Sequence, residues 1–146
     1  AKLPVQGLWI ADTSYYYPED RGISESVDFG RKLAKEVAKQ CKAYFKDPSF
    51  QFDLPMKPSG TVHQQKVWGR IQQIPVGKAK TYGEIAGAIK SGPRAVGTAC
   101  GANPFPLITP CHRVVSAQGI GGFMKENSPG LYRQIKIWLL KHEGVL

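Results

Sequence analysis

Between residues 26 and 45 apolar side chains return every four positions, at Phe29, Leu33, Val37, Cys41 and Phe45, with Lys and Arg between them. That spacing winds an apolar stripe onto a helix, and Pro48 sets its end. Cys41 falls on the stripe and is expected in the core. Upstream, LPVQGLWIA (3–11) mixes β-branched and aromatic residues and predicts a strand, followed by a polar, tyrosine-rich turn region through Gly22. Downstream, DPSFQFDLPMKPSG (47–60) holds three prolines and one glycine and predicts a linker. The pattern therefore predicts two lobes, residues 1–56 and residues 57–146.

In the second lobe helical spacing resumes from His63 to Ile74, with Val67, Trp68, Ile71 and Ile74 on one side, and Pro75 and Gly77 end it. Thr81-Tyr82-Gly83-Glu84 has the form of a capping box, so a short helix is expected over roughly 82–90. Ser91-Gly92-Pro93 breaks it and starts another, with proline at the first helical position and Arg94 just inside. Two short helices joined by a glycine-containing turn have the shape of a helix-turn-helix. After Asn103-Pro104 the run FPLITPCHRVV is too apolar and too proline-broken for a helix, which predicts buried extended or turn structure. A glycine-rich turn, GIGGF (119–123), precedes a last helix started by Ser128 and Pro129, with Leu131, Ile135, Trp138 and Leu139 on its apolar side and Gly144 as C-cap.

Composition adds a partner class. The formal charge is +9 over 146 residues, and it is unevenly divided. Residues 1–56 carry eight basic and eight acidic residues; residues 57–146 carry the other twelve basic and three acidic ones, the whole +9. A negatively charged partner should meet the second lobe, and nucleic acid leads, because phosphate neutralisation by Lys and Arg dominates such binding. Solubilising charge is the plainer alternative. Three widely spaced cysteines, Cys41, Cys100 and Cys111, argue against a disulfide framework and for a reducing compartment. With no stretch of about 20 apolar residues, a soluble protein is expected, cytoplasmic, or nuclear in a eukaryote.

The candidate chemistry lies in PCHRVV (110–115), which sets Cys111 beside His112. A thiol near its free pKa of about 8.5 is only a few per cent thiolate at neutral pH, so a nucleophilic Cys111 needs a base or cation. His112 is adjacent but need not face it, and a bridging water could carry the proton. The base needs an orienting acceptor to fix its tautomer, and Glu143 is one of three acidic residues in the lobe. Structural zinc fits poorly, because Cys100, Cys111 and His112 match no ribbon or finger spacing. A small buried cysteine remains open on these residues alone.

RAVG (94–97), NPFPLITPCHRVV (103–115) and WLLKHEG (138–144), in that order, resemble the O6-alkylguanine-DNA alkyltransferases, also called methylated-DNA-protein-cysteine methyltransferases. The resemblance covers about residues 57–146. It implies an α/β (α+β) protein: a small ribonuclease-H-like N-terminal lobe, then a mostly helical, winged helix-turn-helix-like DNA-binding domain. It implies Cys111 as the alkyl acceptor, His112 taking the thiol proton through a water, Glu143 orienting His112, and Tyr82 donating to N3 of the base. The carbonyls of Cys111 and Val114 would receive the exocyclic amine. Arg94 would fill the stack behind a flipped nucleotide, and Ala95, Thr98 and Arg113 would contact DNA. Asn103 would hold the turn before the active-site segment, and Cys100 could line the pocket.

The implied reaction needs no metal or organic cofactor and ends after one turnover. The implied partner is double-stranded DNA containing O6-alkylguanine, met by a monomer and bound with little sequence preference. GGFMKENSPG departs from the family's usual aromatic and glycine pair, leaving Phe123 as the candidate base-stacking ring. His63 stands where an aromatic is frequent and is read as structural. The alternative is a non-catalytic alkylated-DNA sensor of the same fold; such relatives have tryptophan where this chain has Cys111.

Overall fold

A computed structural model describes residues 23–57, 59–122 and 130–146, with side chains from residue 30 onward. The chain divides into two compact units, residues 1–59 and 60–146. The strand expected at 3–11, and with it the ribonuclease-H-like reading of the first lobe, falls outside the described residues, as does Phe123.

The first unit is described mainly through α1, Ile23–Lys46. Leu33, Val37 and Cys41 are buried on one face, as the four-residue spacing requires. Tyr44, at 1% exposure, is the buried ring at its end, and Phe45 is only half-buried. Burial pushes the Cys41 thiol up to about 11, so it stays a protonated core side chain. Gln40 fastens the chain that follows: its amide donates to Asp53 O and its Oε1 accepts from Asp53 N, both at 2.8 Å.

The second unit is mostly helical. Helix α2 is Val62–Gln72, α3 Tyr82–Ile89, α4 Pro93–Gly101 and α5 Leu131–His142. Among the described residues the one sheet has two strands, β1 (Lys80–Thr81) and β2 (Val114–Val115), paired in parallel with Lys80 opposite Val114. Its crossover contains α3 and α4, so the sheet brings the start of α3 beside the end of the PCHRVV segment.

Local chemistry explains the boundaries. Thr81 and Glu84 form the expected capping box at α3, with Glu84 N donating to Thr81 Oγ1 at 3.0 Å. Thr61 and Gln64 form a second one at α2. Lys90 ends α3 in the left-handed region at φ 56°, and Pro93 opens α4 at its first turn. Gly144 follows α5 with φ +80°, as the glycine after a helix should. The core joins Val67, Ile71 and Ile74 to Ile85 and Ala86 from α3, Val96 and Ala99 from α4, and Cys111 and Val114. Packing at these positions fixes the α3–α4 pair and seats the Cys111 segment against it.

Candidate active site

Cys111 opens a single 3-10 turn, Cys111–Arg113, rather than an extended strand. The turn closes through Val114 N–H donating to Cys111 O. Asn103 builds the loop that leads into it. Its Oδ1 accepts from Phe105 N at 2.8 Å, and its Nδ2 donates to Thr109 O at 2.9 Å and to Cys111 Sγ at 3.2 Å. One buried amide therefore sets both the loop and the sulfur. From α4, Cys100 presents its sulfur to the same group, and the Cys111 thiol donates to it.

Two adjacent thiols ionise as a pair. The shared hydrogen bond, then burial, holds the Cys111 thiol well above its ordinary value, while Asn103 and the Lys136 charge act against this. The same bond to Cys111 lowers Cys100. Cys111 thus rests as a buried thiol and must lose its proton during any reaction it performs.

His112 is fully buried. Its Nε2 lies 2.8 Å from Glu143 Oε2, so Nε2–H donates to the carboxylate and Nδ1 carries the lone pair. Nδ1 is buried with no hydrogen-bond partner among the described residues. Burial, only partly opposed by Glu143, lowers the His112 pKa and keeps the ring neutral and able to accept a proton.

Glu143 is in turn gripped by Arg113, Nε to Oε1 at 2.7 Å and Nη2 to Oε2 at 3.1 Å, while Nη1 donates to Ile74 O at 2.7 Å. Such a two-point grip holds the carboxylate in one orientation. The resemblance placed Arg113 on DNA; the structure turns it inward, with its side chain 14% exposed and its guanidinium committed to Glu143 and Ile74. The reason is electrostatic: a buried carboxylate serving one neutral histidine needs a cation.

Tyr82, at the start of α3, packs against the core cluster that contains Cys111. Its hydroxyl donates to Gly122 O at 3.3 Å. Burial, and then the Cys100 and Cys111 sulfurs, raise its pKa far above the usual tyrosine value, so it remains a proton donor. Gly121 lies against the ring in the left-handed region at φ +77°, where a Cβ would stand 3.0 Å from Tyr82 Cε2. Val114 is fully buried, and its carbonyl accepts from Lys136 Nζ at 2.7 Å. Arg94, Ala95 and Thr98 share the exposed face of α4, away from the buried set.

Sequence reasoning missed Lys136, Gly121 and the inward role of Arg113. A signal for Lys136 was present: with Leu139, Leu140 and Glu143 it follows the i, i+3, i+4, i+7 stripe of α5. Among the described residues no group of three or more His, Cys, Asp or Glu is placed to hold a metal ion. Nor is any helix among them long and apolar enough to cross a membrane.

Residues 62–145 match the family described as 6-O-methylguanine DNA methyltransferase, DNA binding domain. The chain is 42% identical over 113 residues to a methylated-DNA-protein-cysteine methyltransferase of Methanosarcina acetivorans, covering 75% of this chain and 69% of that protein. It is 45% identical over 108 residues to the one of Mycobacterium tuberculosis, covering 73% of this chain and 59% of that protein. Among solved structures it is similar to the M. tuberculosis O6-methylguanine methyltransferase, with TM-score 0.66, 38% identity, and 76% of this chain and 66% of that one covered. It is also similar to a structure of the M. tuberculosis protein in complex with DNA, with TM-score 0.65 and 38% identity over 76% of this chain and 67% of that one.

Proposed function

Since the chain belongs to the methylated-DNA-protein-cysteine methyltransferases, the O6-methylguanine-DNA methyltransferases of DNA repair, we propose that Cys111 is the residue that takes the methyl group, once and irreversibly. The observation that carries this reading is the buried chain Arg113–Glu143–His112, next in sequence to a cysteine whose sulfur is held by Asn103. A cysteine with only a packing role needs no base whose tautomer is fixed by a carboxylate that is itself fixed by a guanidinium.

On this reading the reaction runs through the groups of the site. His112 Nδ1 takes the Cys111 proton, directly or through one water, and the sulfur attacks the methyl carbon in line with the bond to guanine O6. The S–C bond forms as the C–O bond breaks, and the electron pair leaves on the guanine. Tyr82, which keeps its proton, donates to N3 of the departing base and disperses that charge. Asn103 aims the sulfur, and Cys100 lines the pocket next to it. Val114 O, with one lone pair held by Lys136, offers the other to the exocyclic amine. The product is a thioether that no group in the site can cleave, so each molecule repairs one lesion and needs no cofactor.

Cys111 is 6% exposed and cannot reach a base inside a duplex, so the nucleotide must flip into the site. The exposed start of α4 suits that task. Arg94 fills the stack while Ala95 and Thr98 lie against the backbone, and the +9 lobe meets phosphates whatever the sequence. The chain acts as a monomer on double-stranded DNA.

The test is intact-protein mass after incubation with a duplex carrying one O6-methylguanine. A gain of one methyl group that stops at one equivalent and disappears in Cys111→Ala is expected. Selective binding of the lesion without any mass gain would overturn the reading and leave a sensor.

A further inference from the structure

Lys136 is a fully buried ammonium that the chemistry above uses only in passing. It sits within α5 at 0% exposure, donates from Nζ to Val114 O at 2.7 Å and Gly122 O at 2.8 Å, and stands 5.7 Å from the centre of the Tyr82 ring. It makes no ion pair among the described residues. An ammonium buried without a carboxylate is costly, and an apolar side chain of similar length would fill the same space more cheaply.

Its two acceptors belong to the machinery of transfer. Val114 closes the Cys111 turn through its own N–H, so holding its carbonyl steadies the peptide next to the nucleophile. Gly122 O also accepts from the Tyr82 hydroxyl, so the same ammonium holds the acceptor that orients Tyr82. A single cation thus ties together the nucleophile's turn, the tyrosine and the glycine turn.

We propose that Lys136 is the charge-setting and positioning residue of the site: its ammonium supplies the fixed positive field in which the Cys111 sulfur becomes anionic and passes that charge to the leaving base. The proposal rests on Cys111 being the methyl acceptor. Negative charge is born on sulfur and ends on guanine, and a cation in a site closed to water favours both without having to reorganise.

The groups facing Lys136 are Tyr82 from α3, Cys100 from α4, Cys111 on its turn and Arg133 on α5; His112 also feels its charge, while Arg113 and Glu143 are paired with each other. Burial pushes the ammonium down to about 8, the two sulfurs raise it and Arg133 lowers it. The lysine is charged below that value and neutral above it, so its field is lost as pH rises through about 8. His112 is already neutral there, its pKa being lowered, and Cys111, its thiol raised, gains thiolate as pH rises. Neither produces an alkaline loss; Cys100, whose thiol is lowered, adds a negative charge beside Cys111 as it ionises, so it is the disappearance of the fall in Lys136→Arg that assigns it to Lys136.

The experiment uses the full chain, as wild type, Lys136→Arg and Lys136→Met. Single-turnover methyl transfer from a duplex with one O6-methylguanine is followed from about pH 6 to about pH 10. In parallel, iodoacetamide labelling of Cys111 without DNA is read by peptide mass. Wild-type transfer should fall with a midpoint near pH 8. In Lys136→Arg that fall should disappear from the range, because guanidinium stays charged past about pH 12. Lys136→Met should slow both reactions at neutral pH by about tenfold or more and show no fall near 8. Wild-type rates and an unchanged profile in Lys136→Met, or a fall near 8 that persists in Lys136→Arg, would overturn the proposal. If Lys136→Met does not fold, the Lys136→Arg profile alone decides. Wild-type protein that transfers no methyl, yet labels at Cys111 in a Lys136-dependent way, would sink the functional reading and leave the Lys136–Cys111 coupling standing.

Discussion

Replacing Glu143 by glutamine keeps the shape of the site and removes one charge, which isolates the work of the carboxylate. Glu143 uses both oxygens: Oε2 accepts from His112 Nε2 at 2.8 Å, and Arg113 takes Oε1 at 2.7 Å and Oε2 at 3.1 Å. Glutamine has one oxygen. The Arg113 guanidinium, a donor only, claims it, which turns the amide N–H toward His112. Nε2 must then accept, the ring proton moves to Nδ1, and Nδ1 can no longer take the thiol proton. Losing a positioned general base costs about 10²–10⁴ in rate, and a wrong tautomer with intact geometry falls toward the upper end. Stability drops as well, since breaking a buried ion pair costs about 3–5 kcal/mol and the retained hydrogen bonds return part of that. The assay is single-turnover transfer on lesion-bearing duplex, with circular dichroism to show that the variant is folded at the assay temperature. A folded Glu143→Gln that transfers within about twofold of wild type would refute the tautomer argument, because no other described group fixes His112 Nε2.

Two further substitutions probe the edges of the site. Arg94→Ala removes an exposed side chain and should slow transfer from duplex by about tenfold or more while sparing reaction with free O6-benzylguanine; equal losses on the two substrates would remove the stack-filling role. Gly121→Ala places a Cβ 3.0 Å from Tyr82 and 3.1 Å from the Ser116 backbone nitrogen at φ +77°. It should cost about 1–3 kcal/mol and displace Tyr82, lowering both melting temperature and transfer rate. Gly119→Ala, with nothing within 4 Å of its added carbon, is the matched control, and equal behaviour of the two alanines would show that the Tyr82 contact does not matter.

How much of this was legible in the sequence depends on the range of each interaction. The capping box at Thr81, the proline start of α4 and the apolar faces of α1 and α2 are local, and the spacing of a few residues displays them. The strands are two residues each, too short for alternation to appear, and Val114–Val115 is a strand only because Lys80–Thr81 lies beside it. The phase of a helix end is also set from outside: Tyr44 rather than Phe45 is buried, and Leu131, expected on the apolar side of α5, is 50% exposed. At the site, PCHRVV announced the thiol and its histidine, but Arg113 was assigned to DNA because its partner lies thirty residues further along the chain. Lys136 was hidden by a prior: lysine on a helix is read as solvated, even where it shares the stripe of Leu139, Leu140 and Glu143. Charges that carry function were thus the least legible feature, since nothing local distinguishes a buried cation from an exposed one.

The packing that prepares Cys111 also governs the stability of the protein once the methyl group is on it. The resting sulfur is 6% exposed, accepts from Asn103 Nδ2 at 3.2 Å and meets the Cys100 thiol. A transferred methyl group adds one carbon on the reactive side of that sulfur, and it removes the proton the two thiols share. Extra carbon in a well-packed interior costs about 1–3 kcal/mol. Asn103 is not orphaned, because Nδ2 still donates to Thr109 O at 2.9 Å, so little is added by the weakened bond to sulfur. Total stability is of the order of 5–15 kcal/mol, so even the lower figure is a sizeable fraction of it. Methylated protein, separated from unreacted protein by mass, should therefore melt lower by about 4–8 °C for each kcal/mol lost in a domain of this class. An unchanged melting temperature would mean that the methyl group sits in space already open to it. The incoming base would then be received in a preformed cavity, and the close sulfur contacts would serve aim alone. A lowered one would mean that the contacts which orient the thiol also destabilise the spent protein, coupling the single use of Cys111 to loss of the fold that presents it.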